Sequence, residues 1–566
     1  MKKKLPISTD DFQTVIDGGY YYVDKTMFIA EALDNLSESK LILRPRRFGK
    51  SLNMSMLKAF LEIGSPKSLF DGLAISKRID LCEEHQGKRP VIFLSFKDMN
   101  ADDFDEALVM LSIRISNEAK RLEIGNGCSE LDVSDNAVFD RMSVMQANKT
   151  DVARSIQLMS MALQRRYGIK AVVLIDEYDA LASHSYEMEY YNDMARFLRS
   201  LFGQALKGNP SVEFAVMTGI LRLSKDSIFS DLNNIAVYTA LNTKFSAHFG
   251  FSGDEVLSIL RYYGLEGRMP DMKEFYDGYR MGNLEIYNPW SVVRACNDML
   301  DDGVAELEKY WANTASNYLL RFLLKQDGLE ALSSIDDLAN GGTVVKRVSF
   351  GATYRDLIDI PGSEAMWDMM FMAGYLTWVR KTGNDMYELR APNLEIRDAL
   401  RKDTLLWAMS AMPIGKGKAD ELYTALLAGK AEEAEAVLDD LFEKVFSVRD
   451  GVVVHGSFKV TQERHYHLIT TVLLACSSWD VKSEVESGDG YLDTLCTHEG
   501  INAAIVIEEK FSRTDSDESL AAKAYEAIGQ IAQRKYAKNA MSFSTVIAVG
   551  IAYASRRCKI AIDNLK

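Results

Sequence analysis

The first part of the chain alternates short continuous apolar runs with longer stretches of helical spacing. The runs are Lys40-Leu41-Ile42-Leu43, Pro90-Val91-Ile92-Phe93-Leu94-Ser95-Phe96, Ala171-Val172-Val173-Leu174-Ile175 and Phe214-Ala215-Val216-Met217. Each is bounded by polar turns, as strands buried on both faces of a parallel sheet are. Between them apolar residues recur at helical intervals, for example Met54, Leu57 and Phe60 after Lys50. This rhythm predicts an α/β domain.

The rhythm then changes twice. From about Ser252 to Leu338 the spacing is mostly helical. From Ser349 to Met409 it predicts a helix over Met366–Gly374 and a hairpin over Tyr375–Leu389 turning at Thr382-Gly383-Asn384-Asp385. Pro392-Asn393 and a second helix follow, an order that suggests a winged-helix-like module. Two Ala/Leu/Glu-rich helices occupy Gly415 to Glu443. The last segment predicts a helix at Thr461–Cys476 and strands at Trp479–Glu486, Tyr491–Thr497 and Ala503–Lys510. A helix at Leu520–Lys535 and a strand at Ser544–Ile551 end it. The expected domains are 1–250, 251–348 (a helical lid region), 349–414 and 415–566.

A chain of 566 residues accommodates several such cores. The formal net charge of −15 argues against a protein that merely coats nucleic acid, though an enzyme with a local basic groove remains compatible. The cysteines at 82, 128, 296, 476, 496 and 558 form no CxxC pair, which disfavours a zinc site or disulfide framework and suits a reducing cytoplasm. Met1-Lys2-Lys3-Lys4 starts like a signal peptide, but Asp10, Asp11 and Gln13 interrupt where an apolar stretch should follow. No run of about 18 apolar residues predicts a membrane span.

Candidate chemistry begins where the first run ends. Arg44-Pro45-Arg46-Arg47-Phe48-Gly49-Lys50-Ser51 joins strand to helix, the setting of a GxxxxGK[ST] phosphate loop. In such a loop backbone N–H groups wrap phosphate, the lysine neutralises it and the hydroxyl binds Mg²⁺. Gly49, Lys50 and Ser51 are in place, and the helix N-terminus favours an anion. Arg44 stands where the first glycine belongs. Arg46 and Arg47 add positive charge, either to bind phosphate or to hold an acidic partner segment. Downstream, the run ending at Ile175 delivers Asp176 and Glu177. Asp176 suits Mg²⁺, Glu177 suits a base positioning an attacking water, and Asp179 is a third acid. Acids at a strand end are often merely solvated; the loop is what gives these a role. Thr218 either senses the γ-phosphate between the two motifs or simply ends its strand. Arg222 and Arg280 are candidate charge-stabilising fingers.

A second constellation lies near the C-terminus. Glu508 and Lys510 point to one face of a strand while Glu509 points away. An antiparallel neighbour would bring Asp493 beside Glu508. Two carboxylates suit Mg²⁺, or Mn²⁺, and Lys510 would orient or deprotonate a metal-bound water in phosphodiester hydrolysis. Glu463 on the preceding helix could reach the metal from the side, and Gln530 and Tyr536 could touch the substrate backbone. An ExK alone is weak, since any exposed strand can carry it; the ordered set is more specific. His465 and His467, two apart on a helix, read as core or surface residues rather than as ligands.

Across nearly its whole length the chain resembles bacterial and archaeal proteins that join an AAA-ATPase-like domain to a C-terminal PD-(D/E)XK nuclease-like domain. The resemblance rests on Tyr22-Val23-Asp24-Lys25-Thr26, the loop from Arg44 to Ser51, Leu174–Asp179, Thr218-Gly219 and Phe229–Asn234. It continues through Tyr276-Asp277-Gly278-Tyr279-Arg280, Tyr287–Ser291, Gly374–Thr377 and Pro392-Asn393. At the C-terminus it rests on Glu463, Asp493, Glu508, Lys510 and Gln530; relatives often have an arginine where Tyr491 stands. The resemblance implies a P-loop NTPase sheet, a helical and winged-helix-like middle and a restriction-endonuclease-like α/β domain. ATP and Mg²⁺ are the implied cofactors. DNA or RNA is the implied partner, with no membrane and with homo-oligomerisation open. The activity implied is an ATPase coupled to a nuclease; the alternative is a nucleotide-dependent switch or scaffold that binds nucleic acid or protein without cutting.

Overall fold

The computed structural model describes residues 2–35, 39–125, 127–222, 235–303, 307–311, 331, 334–349, 365–411, 416–445 and 463–566. By their contacts these group into two compact units. The first comprises 1–315 with 345–396, and the second 316–344 with 397–566.

The first unit is built on a five-stranded sheet: β1 (Ser39–Leu43), β2 (Val91–Ser95), β3 (Ala171–Asp176), β4 (Val212–Gly219) and β5 (Ile235–Tyr238). Every pairing is parallel and the order is β2-β3-β4-β1-β5. The four predicted apolar runs are β1 to β4. Strand β5 escaped prediction because Ile235-Ala236-Val237-Tyr238 is short and only half-buried, as an edge strand is. The order decides where chemistry converges. β4 lies between β1, which feeds the phosphate loop, and β3, which ends in Asp176, so the end of β4 reaches the space between them.

A further motif becomes structural. Lys25 is buried, and its ammonium lies 2.6 Å from Glu255, which forms the capping box of helix Gly253–Tyr263 with Ser252. Asp24 accepts from the backbone of Thr26 and of Ala74. The Tyr22–Thr26 motif thus pins segments distant in sequence. After it come β6 (Tyr279–Met281) and β7 (Leu284–Ile286), a small hairpin inside the stretch expected to be helical. β8 (Thr343–Arg347) follows, then helix Ala365–Ala373, the antiparallel pair β9 (Thr377–Lys381) and β10 (Met386–Arg390), and helix Leu394–Ala411. Helix, hairpin and helix therefore occur in the anticipated order.

In the second unit, helices Lys416–Leu427, Ala431–Val445 and Glu463–Ala475 precede a mixed sheet. Its strands are β11 (Asp480–Ser487), β12 (Gly490–His498), β13 (Ala503–Phe511), β14 (Thr545–Ala554) and β15 (Arg557–Asn564), in sequential order. β13 and β14 run parallel and the other pairs antiparallel. Helix Asp517–Gln533 crosses between the parallel pair. It lies so close that a Cβ on Gly550 would fall 2.2 Å from the Ala524 carbonyl oxygen.

Candidate functional site

The phosphate loop is assembled between β1 and helix Lys50–Leu61, whose N-cap Gly49 sits at φ +78°. Lys50 is buried. Its ammonium donates to the carbonyls of Arg44 (3.1 Å) and Pro45 (2.7 Å), curling the loop back over the helix start. Burial pulls its pKa down, against the attraction of Glu177, Asp176 and Asp179. The Asp176 carboxylate accepts from two hydroxyls: Ser51 on Oδ2 at 2.6 Å and Thr218 on Oδ1 at 2.5 Å. The inserted β4 therefore places Thr218 between the loop and the acidic strand end. Glu177 follows at φ +53°, a left-handed backbone costing a non-glycine residue about 1–2 kcal/mol. Burial raises its carboxyl pKa, and Lys50 opposes the rise.

Several other candidates are committed elsewhere. Asp179 is buried and accepts from the backbone N–H of Ile220 (2.9 Å) and Leu221 (2.8 Å), fixing the turn after β4. Arg44 is buried, donating to the carbonyls of Leu43 (2.8 Å) and Tyr238 (3.2 Å), with its guanidinium over Phe249. The residue in the missing glycine's place thus ties β1 to β5. Arg46 is half-buried. The Arg47 guanidinium lies 4.3 Å from the centroid of the Trp290 ring and is attracted by Glu395. Arg280 stacks on Trp378 and donates to the Val379 carbonyl. The Phe229–Asn234 segment lies outside the described residues.

Glu395 is a residue that sequence reasoning passed over. It is fully buried, accepting from Ser291 Oγ (2.9 Å) and the Trp311 N–H (2.6 Å). Burial moves its carboxyl up to about 7, with Arg47 among the groups that oppose this. Around it the remaining motifs meet the loop. Phe48 packs edge-on against Tyr279. A Cβ on Gly374 would lie 2.8 Å from Pro45. Gly278, at φ +85°, leaves no room for a Cβ beside the Pro392 carbonyl. These motifs form the wall of the phosphate loop.

In the second unit, Asp493 and Glu508 are brought together by the antiparallel β12–β13 pair. Asp493 Oδ2 accepts from the Glu509 backbone N–H at 2.7 Å. Glu508 Oε1 accepts from Lys510 Nζ (3.3 Å) and from Gln530 of helix Asp517–Gln533. Its Oε2 is buried with no hydrogen-bond partner. Burial, with repulsion from Glu509, raises Asp493 to about 6; burial, with repulsion from Asp493, raises Glu508 to about 7. Glu463 begins its helix, but its side chain lies outside the described residues. Among the described residues no group of three or more His, Cys, Asp or Glu side chains has metal-binding placement. Tyr536 does not face a substrate path: it is buried in the core under helix Asp517–Gln533, beside Leu492 and Ile531. The anticipated substrate contact fails because this tyrosine starts a 3₁₀ turn folded back under the β11–β12 hairpin, where its carbonyl accepts from Ser487. His467, expected as a core or surface residue rather than a ligand, has a partner that sequence reasoning did not name. Its Nδ1 lies 3.0 Å from Glu509 Oε2, on the face of β13 opposite Glu508.

Fold and geometry together define a nucleotide-binding α/β domain joined to a nuclease-type α/β domain. Comparison with family models agrees. A model described as "Predicted AAA-ATPase" matches residues 6–229, and one described as "PD-(D/E)XK nuclease superfamily" matches residues 461–562. Residues 6–229 thus form an AAA-ATPase-like domain, and residues 461–562 a domain of the PD-(D/E)XK nuclease superfamily. It is similar to a protein of Azotobacter chroococcum mcd 1 described as an uncharacterized protein in the vnfD 5′ region, 27% identical over 459 residues that cover 78% of each chain. Among the described residues no helix is long and apolar enough to cross a membrane.

Proposed function

We propose that the chain binds and hydrolyses ATP with Mg²⁺ and uses nucleotide binding to gate a metal-dependent nuclease acting on DNA or RNA. The observation that carries the nuclease reading is the convergence of Asp493, Glu508, Lys510 and Gln530, with Glu508 Oε2 buried and unpartnered. A carboxylate oxygen buried without a donor is costly, and a divalent cation is the partner its chemistry fits. Asp493 and Glu508 would hold Mg²⁺ or Mn²⁺, with Glu463 a further candidate. A bound cation supplies Lewis-acid polarisation of a phosphoryl oxygen and a water of lowered pKa. Lys510, paired with Glu508, would orient such a water, and Gln530 would hold the Glu508 carboxylate in place.

At the nucleotide site Lys50 would exchange the Arg44 and Pro45 carbonyls for phosphate oxygens, while Ser51 and Asp176 hold Mg²⁺. Thr218 reports on the γ-phosphate through Asp176, and Glu177, its pKa raised by burial, is the group to position the attacking water. The six free cysteines suit a reducing cytoplasm. Homo-oligomerisation stays part of the proposal, since Arg280, one of the two candidate fingers, is held by Trp378 and the Val379 carbonyl.

The reading is tested by incubating purified protein with Mg²⁺ or Mn²⁺ and single- and double-stranded DNA and RNA. Cleavage that Asp493→Ala and Lys510→Ala abolish supports it; equal inactivity of all three proteins refutes it. A second reading, a nucleotide-dependent switch without cleavage, is favoured by the tie between Arg47, Trp290 and Glu395, which couples the loop to residues remote in sequence. ATP-dependent change in partner binding without cleavage would establish it.

A further inference from the structure

Glu508 and Glu509 are consecutive acids in the second half of β13, and both are at most 2% exposed. Alternation along the strand sends them to opposite faces. Glu508 has the candidate metal site to explain it. Glu509 has no such role, yet a carboxylate buried there must be paired or it destabilises the strand.

Its partner is His467 of helix Glu463–Ala475, with Nδ1 3.0 Å from Oε2. The Tyr553 hydroxyl also faces this carboxylate and is itself bonded to Thr470 of the same helix at 2.9 Å. Around this point Tyr466 stacks on Tyr553, with ring centroids 4.9 Å apart, so the helix is seated by a well-packed aromatic contact. Burial works against a charged imidazole, but the Glu509 carboxylate outweighs it and moves His467 up to about 9. The same residue, Glu509, donates its backbone N–H to Asp493 Oδ2 at 2.7 Å. Glu509 is therefore a pivot. Its side chain is gripped by the helix through His467, and its main chain grips the carboxylate that leads the candidate metal site.

We propose that His467 is a positioning residue for the metal site. Through Glu509 it fixes the stretch of β13 that carries Glu508 and Lys510 and, through the Glu509 N–H, the orientation of Asp493. It touches neither cation nor substrate. The inference rests on the nuclease reading of Asp493 and Glu508. Partners that orient metal ligands are worth about 10–100-fold in metal affinity when removed.

The test is Mn²⁺ binding to the full chain, read from the electron paramagnetic resonance signal of free Mn²⁺, with Asp493→Ala defining the site. His467→Leu is expected to weaken the Asp493-dependent site by about 10–100-fold. His467→Asn is expected to bring affinity back to within about threefold of wild type, because its amide nitrogen is as many bonds from Cα as Nδ1 is. His467→Gln, one bond longer, should rescue less. Should the leucine variant fail to fold, the Asn and Gln variants decide alone: equal affinities overturn the proposal. Wild-type affinity in His467→Leu or in His467→Gln also overturns it while leaving the nuclease reading intact. Absence of any Asp493-dependent Mn²⁺ site in wild type sinks both.

Discussion

The two candidate sites use the same parts and leave them in different states. Each sets a lysine and a carboxylate near a strand's carboxyl end. At the phosphate loop Lys50 is satisfied by two carbonyls, and Asp176 accepts from two hydroxyls. At the C-terminal site Lys510 and Gln530 both serve one oxygen of Glu508 and leave the other buried and bare. The loop must exchange partners to take a ligand; the C-terminal site must gain one. On the proposed reading the first binds by exchange and the second by addition. The second holds a carboxyl raised to about 7, which a cation would draw back to its charged form.

The sharpest break in this comparison is chemical. Asp493→Ala and Lys510→Ala are each expected to lower nucleic-acid cleavage by about 10³-fold, a scale that removal of acid–base and electrostatic groups commonly reaches. ATP affinity of both variants should match wild type in isothermal titration. Loss of ATP binding in either would show that the sites are not chemically separate. Next in size is Lys50→Ala. Removing a charge-assisted contact of about 1.5–3 kcal/mol should weaken ATP binding about 10–100-fold. Unchanged affinity would refute the phosphate-loop assignment, and with it the idea that Lys50 trades carbonyls for phosphate.

The contrast also marks what sequence could reveal. The four apolar runs were legible because strands buried on both faces need continuous apolar residues, and the place of Thr218 followed once β4 lay between β1 and β3. The closing strand β15 was not anticipated: Arg557-Cys558-Lys559-Ile560 mixes charge with apolar residues, as an edge strand can. Glu395, and the pairing of His467, escaped for a different reason. Their work depends on partners remote in sequence, Ser291 and Trp311 for one and Glu509 for the other, and no spacing rule connects them. Tyr536 was misread because a tyrosine just past a helix looks available until the chain is seen to fold beneath the β11–β12 hairpin.

Glu395 offers a finer probe of the loop's side of the comparison. Its folded pKa is about 7, above the ordinary value of 4.5, because burial disfavours its charge. A raised carboxyl contributes stability that is full below the unfolded value and is lost as pH rises through the folded one. The stability of the first unit should therefore decline from about pH 4.5 to 7 by an amount of order 2–3 kcal/mol from this group. Glu395→Gln stays neutral throughout, so denaturant midpoints measured across that window should fall less steeply than in wild type. Parallel curves would show that Glu395 does not titrate there.

The smallest effect tests whether the C-terminal site depends on rigidity or only on its charged groups. Gly529 precedes Gln530 within helix Asp517–Gln533, is exposed, and has nothing within 4 Å of where a Cβ would stand. Glycine inside a helix costs about 0.5–1 kcal/mol relative to alanine, through the greater freedom it loses on folding. Gly529→Ala should therefore stabilise the second unit by about that amount in chemical denaturation. Cleavage should stay near wild type, because Gln530 already reaches Glu508 from an intact helix. A severalfold fall in cleavage alongside the gain in stability would mean that the helix must flex for Gln530 to release Glu508 during turnover. The unpartnered Oε2 would then mark one position of a moving carboxylate rather than a preformed ligand for the cation.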